Sequence, residues 1–254
     1  MGVVAALFVA LGLACVASTP LVAGERVRME LERAIVEYEA GDLSPGEVSA
    51  FAWLADRGVA DVESLVASGL PDWARRSGRL RFVVSPRVQI SRTHDRVVYL
   101  PLERVRTRSA PYLHETVHAL VPSRGNRTWL SEGLACYLES HVSETLGGYD
   151  AHVFTRAGNV GIHAAARRTL AGETGRAVLP WVGGYGDPPR LEEDRAGVAR
   201  PFYVLSHSLT KHLVEAVGLE AVVRALVSGR GDALVGATRR SGEDWKRDWL
   251  AVLG

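Results

Sequence analysis

The sequence predicts an α+β fold: a small twisted β-sheet packed on a mostly helical half, with a helical N-terminal segment ahead of it. Two observations lead there. Residues 79–102 change to β-rich runs bounded by prolines, whereas apolar residues recur at helical spacing before them and again from Pro111 onward. The 254 residues are 47% hydrophobic and 23% charged, which excludes a disordered chain and suits one substantial domain. The expected division is a leader over 1–23, a helical segment over 24–78 and a main domain over 79–254.

The first twenty-three residues carry no charge and end in small residues before Gly24 and Glu25, as in an export signal, although nothing basic precedes the apolar core. The run is also nearly long enough to stay as a membrane anchor, and Leu13-Ala14-Cys15 faintly resembles a lipid-attachment site. The chain is therefore expected to be exported or associated with the cell envelope. A processed chain would keep only Cys136, so a disulfide framework in the mature domain is excluded.

In the segment that follows, Leu31, Ala34, Ile35 and Tyr38 stand at helical spacing up to Gly41-Asp42. Ser44-Pro45 with Glu47 starts a second helix through Val48, Phe51, Ala52 and Ala55, and Val59 to Leu70 reads as a third. Strands are expected at Leu80–Val84 and Arg96–Leu100, with Thr93-His94-Asp95 as the turn between them. The Gly/Pro-rich stretch near 171–200, with Trp181 to Pro189 at its centre, reads as a loop.

Thirty basic residues face twenty-nine acidic ones, a net charge of +1 that gives no footprint for nucleic acid. The distribution is uneven. Residues 25–63 hold ten acids against four arginines, and 72–108 hold ten arginines against three acids. Two solvated faces that attract each other explain this; a basic wall favouring acidic substrates is the alternative.

The chemistry concentrates at His114-Glu115-Thr116-Val117-His118. On a helix, positions i and i+4 share a face one turn apart, so both imidazoles can reach one metal ion. Glu115 borders that face, where its carboxylate can take a proton from metal-bound water. Ser109 is the expected cap, Pro111 suits the first turn and Pro122 ends the helix. Thirteen residues separate His118 from Glu132 of Trp129-Leu130-Ser131-Glu132-Gly133-Leu134-Ala135, which opens another helix with Leu130, Leu134, Leu138 and Val142 as its apolar stripe. Two histidines and one carboxylate leave a fourth position open, the pattern of catalytic rather than structural zinc. Gly133 would let the second helix approach the first.

HETVH followed by WLSEGLA resembles the gluzincin metallopeptidases, the thermolysin-like group of the peptidase MA-like superfamily. A third element, Pro201 to Leu213 followed by Val217-Gly218-Leu219-Glu220, is similar to that family's helix beginning with Tyr. The resemblance implies a zincin-type domain with zinc on His114, His118 and Glu132, Glu115 as general base, and a peptide or protein substrate. It also implies an oxyanion donor on the third helix, for which Tyr203 and His207 are the two candidates, and an edge strand at Val97–Pro101 for an extended peptide. One position departs from the pattern: thermolysin has, four residues beyond the glutamate ligand, an aspartate that supports a ligating histidine, and here that position is Cys136. Another acceptor for the ligating histidine is then needed, with Glu139 a candidate. His94, His141, His152, His163 and His212 have no motif context. The alternative to a peptidase is an inactive zinc- or peptide-binding module on the same scaffold.

Overall fold

Five strands form one open sheet among the described residues: β1 (Arg26–Glu30), β2 (Ala34–Glu39), β3 (Leu80–Ser85), β4 (Arg92–His94) and β5 (Val97–Pro101), in the order β1-β2-β3-β5-β4. The pairs β2–β3 and β3–β5 are parallel, while β1–β2 and β4–β5 are antiparallel. The computed structural model describes residues 24–75, 78–123, 128–145, 157–186, 188, 195–228 and 233–254. The expected leader over 1–23 lies outside them. No helix among the described residues is long and apolar enough to cross a membrane.

The mixed α+β class is as expected, but the first expected helix is not there. Leu31 lies in the turn, where its N–H donates to the Ala34 carbonyl, and Ala34, Ile35 and Tyr38 belong to β2. The reason is the position of β2 between β1 and β3. Ala34, Ile35, Val36 and Glu37 are all buried, so the strand lacks the in–out alternation that would mark it. β2, within the segment expected to be helical, pairs in parallel with β3 beyond residue 78. The second and third expected helices are one, α1 (Pro45–Val66), opened by the expected capping box between Ser44 and Glu47.

One sheet face carries Val36, Phe82, Val84, Val98 and Leu100, all buried beneath helices. Phe51 of α1 meets Phe82 edge-on at 6.0 Å, and meets Tyr112 of the third helix at 5.9 Å, so these rings join the sheet to two helices. The opposite face mixes Ile35, Val83, Val97 and Tyr99 with the pair Arg81 and Glu37, and charged side chains pair around it. Arg79 pairs with Glu30 at 2.6 Å, Arg81 with Glu37 at 3.3 Å and Arg87 with Glu39 at 3.7 Å, and Arg106 donates to the Asp42 carbonyl. The uneven charge is thus matched across neighbouring segments, acidic 25–63 against basic 72–108.

The turn between β4 and β5 sits at Asp95 and Arg96, both with positive φ (46° and 62°), so Thr93 and His94 are strand residues rather than turn residues. This makes β4 the edge strand at this end of the sheet, with β1 at the other. Val97–Pro101, expected at the edge, is paired on both sides.

The helical half comprises α2 (Leu102–Arg106), α3 (Tyr112–Leu120), α4 (Thr128–Thr145), α5 (Gly158–Ala171), α6 (Glu173–Val178), α7 (Arg200–Val217), α8 (Leu219–Ser228), α9 (Ala233–Thr238) and α10 (Gly242–Leu253). Helix α3 packs against β4, β5, α1 and α4, and α4 packs along α7. Gly133 allows that second contact and not the expected one with α3. A Cβ there would lie 2.2 Å from Thr210 Oγ1 and 2.5 Å from the Ser206 carbonyl oxygen, both on α7. The Gly/Pro-rich stretch is less open than its composition suggests. It holds α6, a short 3₁₀ turn at Leu179–Trp181 and a π-helical turn at Arg195–Ala199 leading into α7.

Candidate metal centre

Helix α3 is buried on nearly every side, which requires its polar residues to find partners within the protein. Its start is not capped by Ser109, whose hydroxyl lies 2.9 Å from Thr107 Oγ1; Pro111 occupies the cap position without a side-chain bond. Pro122 follows the last turn as expected. His114 and His118, one turn apart, present their rings edge-on with centroids 4.8 Å apart. Glu132 reaches them from the first turns of α4.

Three ligand atoms converge. His114 Nε2 lies 3.1 Å from His118 Nε2 and 3.1 Å from Glu132 Oε2, and His118 Nε2 lies 3.4 Å from that same oxygen. Ligands about 2.0–2.1 Å from a tetrahedral zinc ion stand roughly 3.3 Å from one another. The donor set and its spacing therefore fit one such ion. His114 is 3% exposed, while His118 and Glu132 keep 19% and 17% of their side chains accessible, so the cluster opens to solvent on their side. Among the described residues this is the group of histidine, cysteine and acidic side chains that could hold a metal ion.

The electrostatics of these side chains express the same crowding. Burial disfavours charge on His118, but the Glu132 carboxylate overrides it and the imidazole is pushed up to about 9. Burial likewise works against the Glu132 anion, yet the two imidazoles hold the carboxyl well below its usual range. A carboxylate facing two imidazoles in a partly dry site is an arrangement that a divalent cation would satisfy.

The outer contacts to both rings come from α4. Ser131 Oγ lies 3.3 Å from His118 Nδ1, and Cys136 Sγ 3.8 Å from His114 Nδ1. Burial, with Glu139 and Glu132 nearby, pushes the Cys136 thiol well above its ordinary range, so it stays a neutral contact to the ring. Cys136 therefore stands on the Nδ1 side of His114, at the position where the resemblance has an aspartate. Glu139 is fully buried close by.

Glu115 is 5% exposed, and its Oε2 accepts from the Thr93 hydroxyl at 2.9 Å. The sequence places Thr93 in a turn, and Arg92-Thr93-His94, polar throughout, has no alternation that would mark a strand; its burial pattern is visible only in the fold.

The two residues expected as oxyanion donors diverge. Tyr203, half-buried on α7, sets its ring edge-on to His114 with centroids 6.2 Å apart. His207, one turn further and fully buried, has Nε2 2.7 Å from Asn159 Oδ1 on α5. Burial holds its pKa low, at about 3, so the neutral ring donates its Nε2–H to that oxygen. Asn159 is a second residue absent from the sequence reading. Trp129 donates its indole N–H to the Gly184 carbonyl at 3.0 Å, which pins the 182–186 loop beside the start of α4. The remaining described histidines lie elsewhere: His94 beside Asp95, His141 stacked on Tyr137, His163 on Ser208 and His212 against Trp245. His152 lies outside the described residues.

No protein-family model matches the chain, and no curated protein matches it in sequence. Solved structures similar to it include a point mutant of a two-domain M1 zinc metallopeptidase bound to L-arginine, at 19% identity and a TM-score of 0.47. An M1 zinc metallopeptidase from Deinococcus radiodurans matches at 19% identity with a TM-score of 0.43, and a point mutant of it at 18% with 0.44. The matches cover 89% of this chain and 51–52% of those, so the chain spans about half their length.

Proposed function

We propose that the chain is a zinc-dependent peptidase of the gluzincin type. The observation that carries this reading is the convergence of His114 Nε2, His118 Nε2 and Glu132 Oε2 within 3.1–3.4 Å, with Glu115 on the same helix. His114, His118 and Glu132 would hold the ion. When bound there, zinc supplies the Lewis acidity that polarises a substrate carbonyl and lowers the pKa of water.

The rest falls to the chain's own side chains. Glu115 accepts a proton from the attacking water on its carboxylate and hands it to the departing amine, a role worth about 10²–10⁴-fold in rate. Tyr203, beside His114, donates its hydroxyl to the oxygen on which negative charge develops. The edge strand β4, adjacent to Glu115 through Thr93, offers main-chain groups to an extended peptide.

Metal content and turnover of a broad peptide library, measured on wild type, Glu115→Gln and Glu132→Ala, test the proposal. Wild type should hold about one zinc per chain and cleave peptides. Glu115→Gln should keep the metal and lose cleavage by orders of magnitude, because an amide cannot accept the proton. Glu132→Ala should lose both. Zinc retained by Glu132→Ala would remove that residue from the ligand set, and a zinc-loaded wild type that cleaves nothing would replace the enzyme with a binding module.

A further inference from the structure

We propose that Thr93, on the edge strand β4, is a positioning residue for Glu115, so that the proposed general base is held by the strand on which a peptide would lie. Its kinetic consequence rests on the peptidase reading above; its structural content does not.

Glu115 has a long side chain that a helix restrains only weakly at its far end, and catalysis by a base demands a fixed carboxylate. The contact that supplies this comes from outside the helix. Thr93 Oγ1 lies 2.9 Å from Glu115 Oε2 and 2.9 Å from the main-chain carbonyl oxygen of the same residue. The single hydroxyl proton thus lies between two acceptors of the same glutamate, its carboxylate and its own main-chain carbonyl, and is shared between them. The strand geometry allows this: Arg92 and His94 are exposed while Thr93 between them is half-buried, facing α3. Pairing of Thr93 with Val98, whose side chain is fully buried, sets which face the hydroxyl takes. Threonine suits the role better than serine because its branched Cβ leaves few χ1 rotamers. Three residues long, β4 is the edge strand that touches Glu115, and its outer side would receive a further strand. A peptide paired there would immobilise Thr93 and, through it, the Glu115 carboxylate.

The test uses the full chain as wild type, Thr93→Val and Thr93→Ser, in two arms. In crystal structures of the metal-free proteins, Glu115 should leave its wild-type pose in Thr93→Val and keep it in Thr93→Ser. With zinc restored and the best-cleaved library peptide as substrate, Thr93→Val should lower kcat about tenfold, as expected for loss of a hydrogen bond to a charged group. KM and zinc content should stay within about twofold of wild type, and Thr93→Ser should recover most of kcat. If Thr93→Val does not fold, Thr93→Ala takes its place. An unmoved Glu115 in the variant lacking the hydroxyl overturns the assignment whatever the activity. A displaced Glu115 with unchanged kcat overturns its catalytic consequence. A wild type that cleaves no peptide overturns the peptidase reading instead, and the pose of Glu115 alone then decides the role of Thr93.

Discussion

Cys136 Sγ lies 3.8 Å from Nδ1 of His114, while the other nitrogen of that ring faces Glu132 at 3.1 Å. The ring is thereby gripped from both sides by α4. Carboxylates and carbonyls are the usual partners of a metal-bound imidazole; a neutral thiol is a weaker one. Cys136→Ala should therefore weaken zinc binding by no more than about tenfold, the lower end for loss of an outer contact. Competition with a chelator measures it. A hundredfold loss with the fold intact would mean that the sulfur does more than orient the ring.

Charge on a substrate oxygen exists only in the transition state, so its donor affects kcat more than KM. Tyr203→Phe keeps the ring against His114 and deletes one hydroxyl, and should lower kcat by about 10²–10³-fold with zinc retained. His207→Gln should change kcat far less, since His207 Nε2 is engaged by Asn159. Steady-state kinetics on both variants would reverse the assignment if the losses were exchanged.

Gly133 makes the closest approach between α4 and α7 possible. Gly133→Ala would put a methyl 2.5 Å from the Ser206 carbonyl oxygen, a backbone atom that can yield only by separating the helices. A destabilisation of about 1–3 kcal/mol is expected, read from the urea midpoint. Because Glu132 is the adjacent residue, zinc affinity should fall as well. An unchanged midpoint would mean that the helices part without cost.

The buried His207 makes stability depend on pH. Its folded pKa of about 3 lies below the value of about 6.5 in an unfolded chain, so on acidification the unfolded state takes up a proton that the folded state does not. Stability should decline as pH falls from about 6.5 toward 3, at up to roughly 1.4 kcal/mol per pH unit from this residue. Urea unfolding of metal-free wild type and His207→Gln at several pH values between 7 and 4 would show it. Parallel slopes in the two proteins would rule His207 out as the source.

By itself the sequence determined the helix that carries the two histidines, and also where the long N-terminal helix begins. A helical period places His114 and His118 on one face whatever surrounds them, and the capping box at Ser44 and Glu47 starts α1 from residues three apart. Such features depend on neighbours within one or two turns, so composition and spacing reveal them. The β1–β2 hairpin escaped the same reading because burial on both faces erased the alternation of β2.

Tertiary structure decided everything that joins distant positions. Thr93 meets Glu115 across 22 residues of chain, Cys136 meets His114 across 22, and His207 finds Asn159 across 48. It also decided that Gly133 serves α7 rather than α3, and that β4 rather than β5 forms the edge of the sheet. The physical reason is common to all of them. A side chain's local spacing fixes the direction in which it leaves its own element, but which partner waits there depends on how the elements pack, and packing follows from the burial of the whole apolar surface at once.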